Sequence, residues 1–252
     1  MEEKPGGFRE AYQERKYRNL LPDQGMVSFQ VMVKETDLYI KASRNLAEPA
    51  RESVLRYRHQ LESYIHLHPS FLHSLTPWPT DDFAAPIIQS MIRAGQGAGV
   101  GPMAAVAGAM AESVGRDLLK EAPEIIVENG GDIFLRSSRG IPVGIFAGNS
   151  PLSLRVGLLV PASEDPSGVC TSSGTVGPSL SFGRADAVCI LSPSASLADA
   201  AATAVGNRVR SSTDLERGLE QAKEIVGVVG AVIILGDKLA AWGEIELIDL
   251  KR

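Results

Sequence analysis

Residues 94–111 carry no charged side chain and are mostly glycine and alanine. Glycine at 95, 97, 99 and 101 leaves the backbone free to turn. Pro102 suits the first turn of a helix, where its missing N–H would go unpaired anyway. The pattern predicts a Gly95–Gly101 loop leading into a helix from Met103 to about Glu121. One face of that helix is Ala104, Ala107, Gly108 and Ala111. Side chains this small let another backbone come close, which places the helix at the centre of the fold. A glycine loop at a helix N-terminus also favours an anion through its amides and dipole. It lacks both GxGxxG after a strand and the lysine of a P-loop, so a helix-to-helix connection is the plainer reading.

Around this stretch the periodicity changes. Val27–Lys34 and Leu38–Ala42 flank Glu-Thr-Asp and read as a β-hairpin. Val54, Tyr57, Leu61 and Ile65 recur at helical spacing over Glu48–His66. Pro69, Pro77 and Pro79 predict a loop. Asp81 or Asp82 is placed to cap a helix through Ile87, Ile88, Met91 and Ile92. Beyond it, Ile125–Val127, Ile133–Leu135, Pro142–Phe146, Leu154–Val160 and Ala187–Leu191 read as strands. Leu197–Val209 and Thr213–Ile225 read as helices, and Val228–Leu235 with Ala240–Ile248 as a last hairpin. Runs of strands with a few long helices, without βαβ alternation, predict an α+β fold. We read residues 1–24 as a polar arm and 25–252 as a single domain.

The chain has 252 residues and a net charge of −5 from 25 basic and 30 acidic side chains. Mild acidity argues against a dedicated nucleic-acid binder. A mean hydropathy of +0.02 excludes general disorder. The two cysteines, Cys170 and Cys189, do not make a disulfide scaffold, and no zinc spacing is present. The polar N-terminus has no apolar signal core or lipidation motif, and no run is long enough to span a bilayer. The expectation is a cytoplasmic protein with no nucleic-acid or membrane partner; exposed hairpin edges make a homodimer plausible.

Three segments carry chemistry. Glu128-Asn-Gly-Gly-Asp132 is a hairpin tip whose glycines leave amides uncovered beside polar side chains, or else a plain type I′ turn. Val169-Cys-Thr-Ser-Ser-Gly-Thr175 gathers hydroxyls suited to an anion, with no histidine nearby to activate a serine. Asp199 and Thr203, at i and i+4, share a helix face and offer two oxygen ligands to a hard cation such as Mg²⁺; the plainer role of Asp199 is a helix cap. Cys170 reads as a small buried hydrophobe unless its pKa is lowered. His59, His66, His68 and His73 read as surface histidines, although His66 and His68 could chelate a metal.

The order of these motifs resembles the ApbE-like superfamily over about residues 95–210. Its characterised members are FAD-dependent flavin transferases that attach FMN to a protein threonine. The resemblance implies mixed or antiparallel sheets with packed helices around a central small-residue helix. It implies that Asn129, Gly130, Gly131 and Asp132 lie along an FAD pocket, with Asp132 catalytic in orienting the substrate. It implies a hydroxyl wall of Thr171, Ser172, Ser173 and Gly174, and Mg²⁺ held by Asp199 and Thr203 beside the pyrophosphate. The family's Lys-Gly pair is replaced by Ala107-Gly108, and its His-Ile-x-Asp-Pro segment by Pro178-Ser-Leu-Ser-Phe-Gly-Arg-Ala-Asp186. Those departures point to a divergent branch that keeps the pocket, with or without transfer. The alternatives are a non-catalytic flavin or nucleotide carrier, and a sulfur-assimilation protein working through Cys170.

Overall fold

The computed structural model describes residues 25–174 and 183–250. The arm read at 1–24, and residues 178–182 of the segment that replaces the histidine motif, lie outside the described residues. A hairpin opens the fold, β1 (Val27–Val33) and β2 (Thr36–Ala42). Helices α1 (Ala47–Leu67), α2 (Pro69–His73) and α3 (Pro86–Ala98) follow, then a 3₁₀ turn at Pro102–Ala105 and α4 (Val106–Leu118). Strands β3 (Ile125–Asn129), β4 (Asp132–Ser137), β5 (Ile141–Gly144), β6 (Val156–Val160), β7 (Ser163–Ser172) and β8 (Ala187–Ser192) come next. The chain continues through α5 (Ala195–Gly206), α6 (Leu215–Glu224), β9 (Gly230–Leu235), β10 (Lys238–Gly243) and β11 (Glu246–Asp249).

One sheet has eight strands in the order β1-β2-β3-β4-β7-β8-β9-β10, and a second has three, β11-β6-β5. The described pairings are antiparallel, so the fold is α+β with antiparallel rather than mixed sheets. Period-2 alternation splits the large sheet into two apolar faces. Leu38, Ile40, Val127, Phe134, Ile190 and Ile233 face the helices. Ile126, Ile133, Leu135, Val169, Val232 and Ile234 pack instead on Val143, Leu158 and Val160 of the small sheet.

The most enclosed helix is α5. Nine of its twelve residues are buried, and it packs against α3, α4, β7 and β8. Its alanines leave no side chain long enough to hold these neighbours away. Two glycines complete the fit. A Cβ on Gly108 of α4 would stand 2.2 Å from the carbonyl oxygen of Ala195, and one on Gly168 of β7 would stand 2.4 Å from its Cα. The small-residue helix α4 packs closely at the centre, as its composition predicts, with α5, α1, β3 and β4 around it.

Other expectations change. Helix α3 runs to Ala98, so Gly95 and Gly97 are helical and the expected loop shrinks to residues 99–101, with Gly99 at φ 73° closing the helix. Pro69 starts the short helix α2 where a loop was expected. Ala85, not an aspartate, precedes α3. Asp81 is taken up instead by the Tyr64 hydroxyl, which donates to it at 3.0 Å, and by the Phe83 amide at 3.1 Å. The last apolar run is not one hairpin. Gly243 turns the chain at φ 101°, so β10 pairs with β9 while β11 leaves for the small sheet and pairs with β6.

Gly168→Ala is expected to lower the melting temperature, because its methyl meets backbone that cannot move aside, an overpacking cost of about 1–3 kcal/mol or more. Gly97→Ala is the contrasting case. Its Cβ would meet only the Leu197 side chain, at 3.5 Å, and the change favours the helix by about 0.5–1 kcal/mol. Thermal denaturation of the two variants should shift in opposite directions.

Candidate functional site

The β3–β4 turn is built by its two glycines. Gly130 and Gly131 adopt φ of 70° and 108°, which side-chain-bearing residues avoid. Asn129 and Asp132 close the hairpin as a cross-strand pair. The Gly131 amide donates to Oε1 of buried Glu128 at 3.0 Å. The Asn129 side-chain amide donates to the carbonyl of Ala107 at 3.1 Å, which ties the turn to the first turn of α4.

Asp132 opens β4 opposite Cys170 of β7. Alternation turns both side chains toward the helices, since Ile133 and Val169 face the small sheet. There they approach Asp199 on α5. Oδ2 of Asp199 accepts the Gly108 amide at 2.8 Å. That bond is possible because Gly108 has no Cβ, which would stand 2.8 Å from the Asp199 Cβ. Asp199 lies within the helix body and is not its cap; Ser194 fills that role, accepting the Leu197 amide. Thr203 lies one turn further along the same helix face.

The electrostatics follow from the enclosure. Burial pushes the Asp132 carboxyl well above the usual range, and the nearby charges of Asp199 and Glu128 push it further. Burial pushes Asp199 up to about 7, against the pull of the Gly108 and Ala107 amides. Two carboxylates in one desolvated place cannot both ionise without a compensating charge, so the pair retains a proton near neutrality or takes a cation. Among the described residues no cluster of three or more His, Cys, Asp or Glu is arranged to hold a metal by itself. An ion here would rely on Asp199, Thr203, backbone oxygens and the ligand.

The hydroxyl segment expected as a loop is largely strand. Thr171 pairs with Cys189 and Ser172 with Val188. Ser172 therefore shares the helix-side face with Asp132 and Cys170, while the Thr171 side chain turns the other way and bonds the Cys189 thiol. The Thr171 backbone does reach the site, bonding to the Asp132 carboxyl. Ser173 and Gly174 lie past the strand end, where the Gly174 amide donates to Ala185 at 2.9 Å.

Cys170 is fully buried, with Sγ 3.3 Å from the carbonyl oxygen of Ala195. Burial and the charge of Asp132 push its thiol well up, and burial pushes Cys189 up to about 12. Neither is the environment of an attacking thiolate. His59, His66, His68 and His73 are exposed; His68 stacks on Tyr64 with ring centres 4.4 Å apart.

The sequence reading passed over Glu112. This buried acid on α4 accepts Ser194 Oγ at 2.9 Å, the Ser196 amide at 3.1 Å and Ser196 Oγ at 3.1 Å, all at the start of α5. An acid on an otherwise small and apolar helix face, with a serine-rich helix start in the same chain, was the available signal.

The sequence model of the family described as AbpE bacteria matches residues 18–241. The chain belongs to this family. A UPF0280 protein of Methanosarcina acetivorans is 42% identical over 200 residues, covering 79% of each chain. A UPF0280 protein of Methanocaldococcus jannaschii is 42% identical over 221 residues, covering 85% of this chain and 90% of its own. Among solved structures, the flavin transferase ApbE of Vibrio cholerae superposes with a TM-score of 0.56 at 12% identity, over 86% of this chain and 96% of that one. The apo flavinyl transferase ApbE of Pseudomonas stutzeri gives 0.57 at 14%, over 86% and 94%. These likenesses establish an ApbE-like fold. No helix among the described residues is long and apolar enough to cross a membrane.

Iodoacetamide at neutral pH is expected to label neither cysteine in the folded protein and both after unfolding, as read by mass spectrometry. The raised pKa of Asp199 also sets a pH trend. The folded state holds the Asp199 proton more tightly than the unfolded chain does. Its stabilising contribution is therefore full below about 4 and is lost as pH rises through about 7. Denaturant melts between pH 4 and 8 should show a shallower decline in Asp199→Asn than in the parent protein.

Proposed function

We propose that this chain binds FAD in a Mg²⁺-dependent manner, with the flavin nucleotide lying along the β3–β4 turn and Asp199 and Thr203 holding the ion beside its pyrophosphate. The supporting observation is the meeting of Asp132 and Asp199. Acids from two motifs far apart in the sequence share one desolvated place, beside a turn whose Gly130 and Gly131 backbone carries no side chain to block an approaching ligand. The donor set fits the ion: Mg²⁺ favours carboxylate and hydroxyl oxygens and takes its remaining ligands from phosphate and water. When bound, it neutralises the phosphate charge and withdraws electrons from the bridging P–O bond.

The chain's own residues do the rest. Asn129, fixed to Ala107, and Gly131, fixed to Glu128, set the floor on which a ligand rests. Ser172 offers a hydroxyl from β7. Asp132, beside both, orients the ligand and exchanges a proton at its carboxyl oxygen. Transfer, as in the structurally similar flavin transferases, would join the FMN phosphorus to an acceptor hydroxyl oxygen. The pyrophosphate bond would break, AMP would leave, and the hydroxyl proton would pass to Asp132.

Ala107 stands where the resembling transferases carry lysine, which favours a second reading in which FAD is held without turnover. Calorimetric titration of flavin-free protein with FAD separates the readings. Binding that needs Mg²⁺ and disappears in Asp199→Ala is the expected result. FMN and AMP appearing on incubation with an acceptor would identify a transferase, and their absence a carrier. Binding that ignores both Mg²⁺ and the variant would remove the ion from the site. Because the ion displaces the proton of the acid pair, its affinity is expected to rise with pH through about 7, measurable by repeating the titration at pH 6 and pH 8.

A further inference from the structure

Glu112 touches no proposed ligand, and its contacts form a pattern with those of Asp199. Glu112 lies on α4 and accepts a backbone amide of α5, that of Ser196. Asp199 lies on α5 and accepts a backbone amide of α4, that of Gly108. Glu112 is one turn beyond Gly108, and Asp199 one turn beyond Ser196. The two helices thus hold each other by exchanged carboxylate-to-amide bonds, a charge-assisted type stronger than neutral hydrogen bonds.

The other oxygen of Glu112 is held by Arg116, whose Nε and Nη2 donate at 3.0 and 2.7 Å. Ser90 of α3 reaches the same point by donating to Ser196 Oγ at 2.9 Å. One carboxylate therefore collects three helices at the start of α5, and its negative charge complements the positive end of that helix dipole. Gly108 without a side chain lets α4 come close enough for the exchange. If α5 slid or turned here, Asp199 would leave the Gly108 amide and Thr203 would move with it.

We propose that Glu112 is a positioning residue: by anchoring the start of α5 to α4 it sets where the Asp199 and Thr203 oxygens stand. Only the ion-binding part of its test rests on the reading of those two residues as a Mg²⁺ site. The hydrogen bonds of Glu112 go to Arg116, Ser194 and Ser196 and not to the β3–β4 turn, so the effect is expected on the α5 side of the site.

The test compares the parent chain with Glu112→Gln, which keeps the shape and removes the charge, and Ser196→Ala, a milder cut that serves if the first variant does not fold. Amide hydrogen exchange followed by NMR reads the anchor directly. The Gly108 amide should exchange about tenfold faster in Glu112→Gln and less so in Ser196→Ala, while amides of the β8–β9 pair stay protected. In FAD titrations, the Mg²⁺ concentration for half-maximal effect should rise about tenfold or more, with FAD affinity in the absence of Mg²⁺ unchanged; general loosening would move both. Gly108 protection equal to the parent in both variants overturns the proposal, as does a uniform rise in exchange across β8 and β9. If the parent chain takes up neither FAD nor Mg²⁺ but Gly108 exchange still rises selectively, the anchor stands and the flavin reading fails.

Discussion

The approach of three backbones at Ala195 governs the rest of the structure. Strand β7 comes in from one side through Gly168, helix α4 from another through Gly108, and α5 starts between them. No packing of larger side chains reproduces this, because the contact is backbone against backbone. It explains why this junction is written in glycine and alanine. Dense packing of such a junction leaves little room for relaxation.

That closeness also sets the chemistry. With α4 and α5 so near, acids on either helix reach the other's amides, and an acid at the start of β4 lies within the same desolvated space. Burial is the largest influence on both Asp132 and Asp199. Polar function here is a by-product of tight apolar construction: the dielectric is low because the helices touch, and the acids respond by favouring a proton or a cation.

Local signals in the sequence were strong where chemistry and backbone coincide. The Asn-Gly-Gly-Asp turn was legible because positive φ at two successive positions has few sequence solutions, and the β1–β2 hairpin and α1 were legible from their periods. The place of Thr171 was not. Its segment reads as a hydroxyl-rich loop, but pairing with β8 makes it a strand, and one step of alternation decides which face each hydroxyl takes. The end of α3 was obscured because glycine suggests a loop, whereas Gly95 lies inside the helix where a Cβ would stand 2.8 Å from the Val100 carbonyl oxygen. Glu112 was passed over because a lone acid on a helix is usually solvated, and only the fold shows that the start of α5 arrives above it. The family resemblance singled out Asp132 and Asp199; the geometry brings them together and shows which backbone holds Asp199.

The split of the final apolar run has a consequence for the order in which this protein is completed during synthesis. Strands β5 and β6 emerge from the ribosome well before β11, yet β11 is their sheet partner. Until it arrives, β6 presents an open edge, and the face of the large sheet formed by Ile133, Leu135 and Val169 is covered only by a two-stranded ribbon. The second core is therefore the later one to close, and its closure waits on a contact between segments far apart along the chain. A nascent chain held short of Gly243 would expose that edge to other chains, which makes this face the place where misassembly would begin.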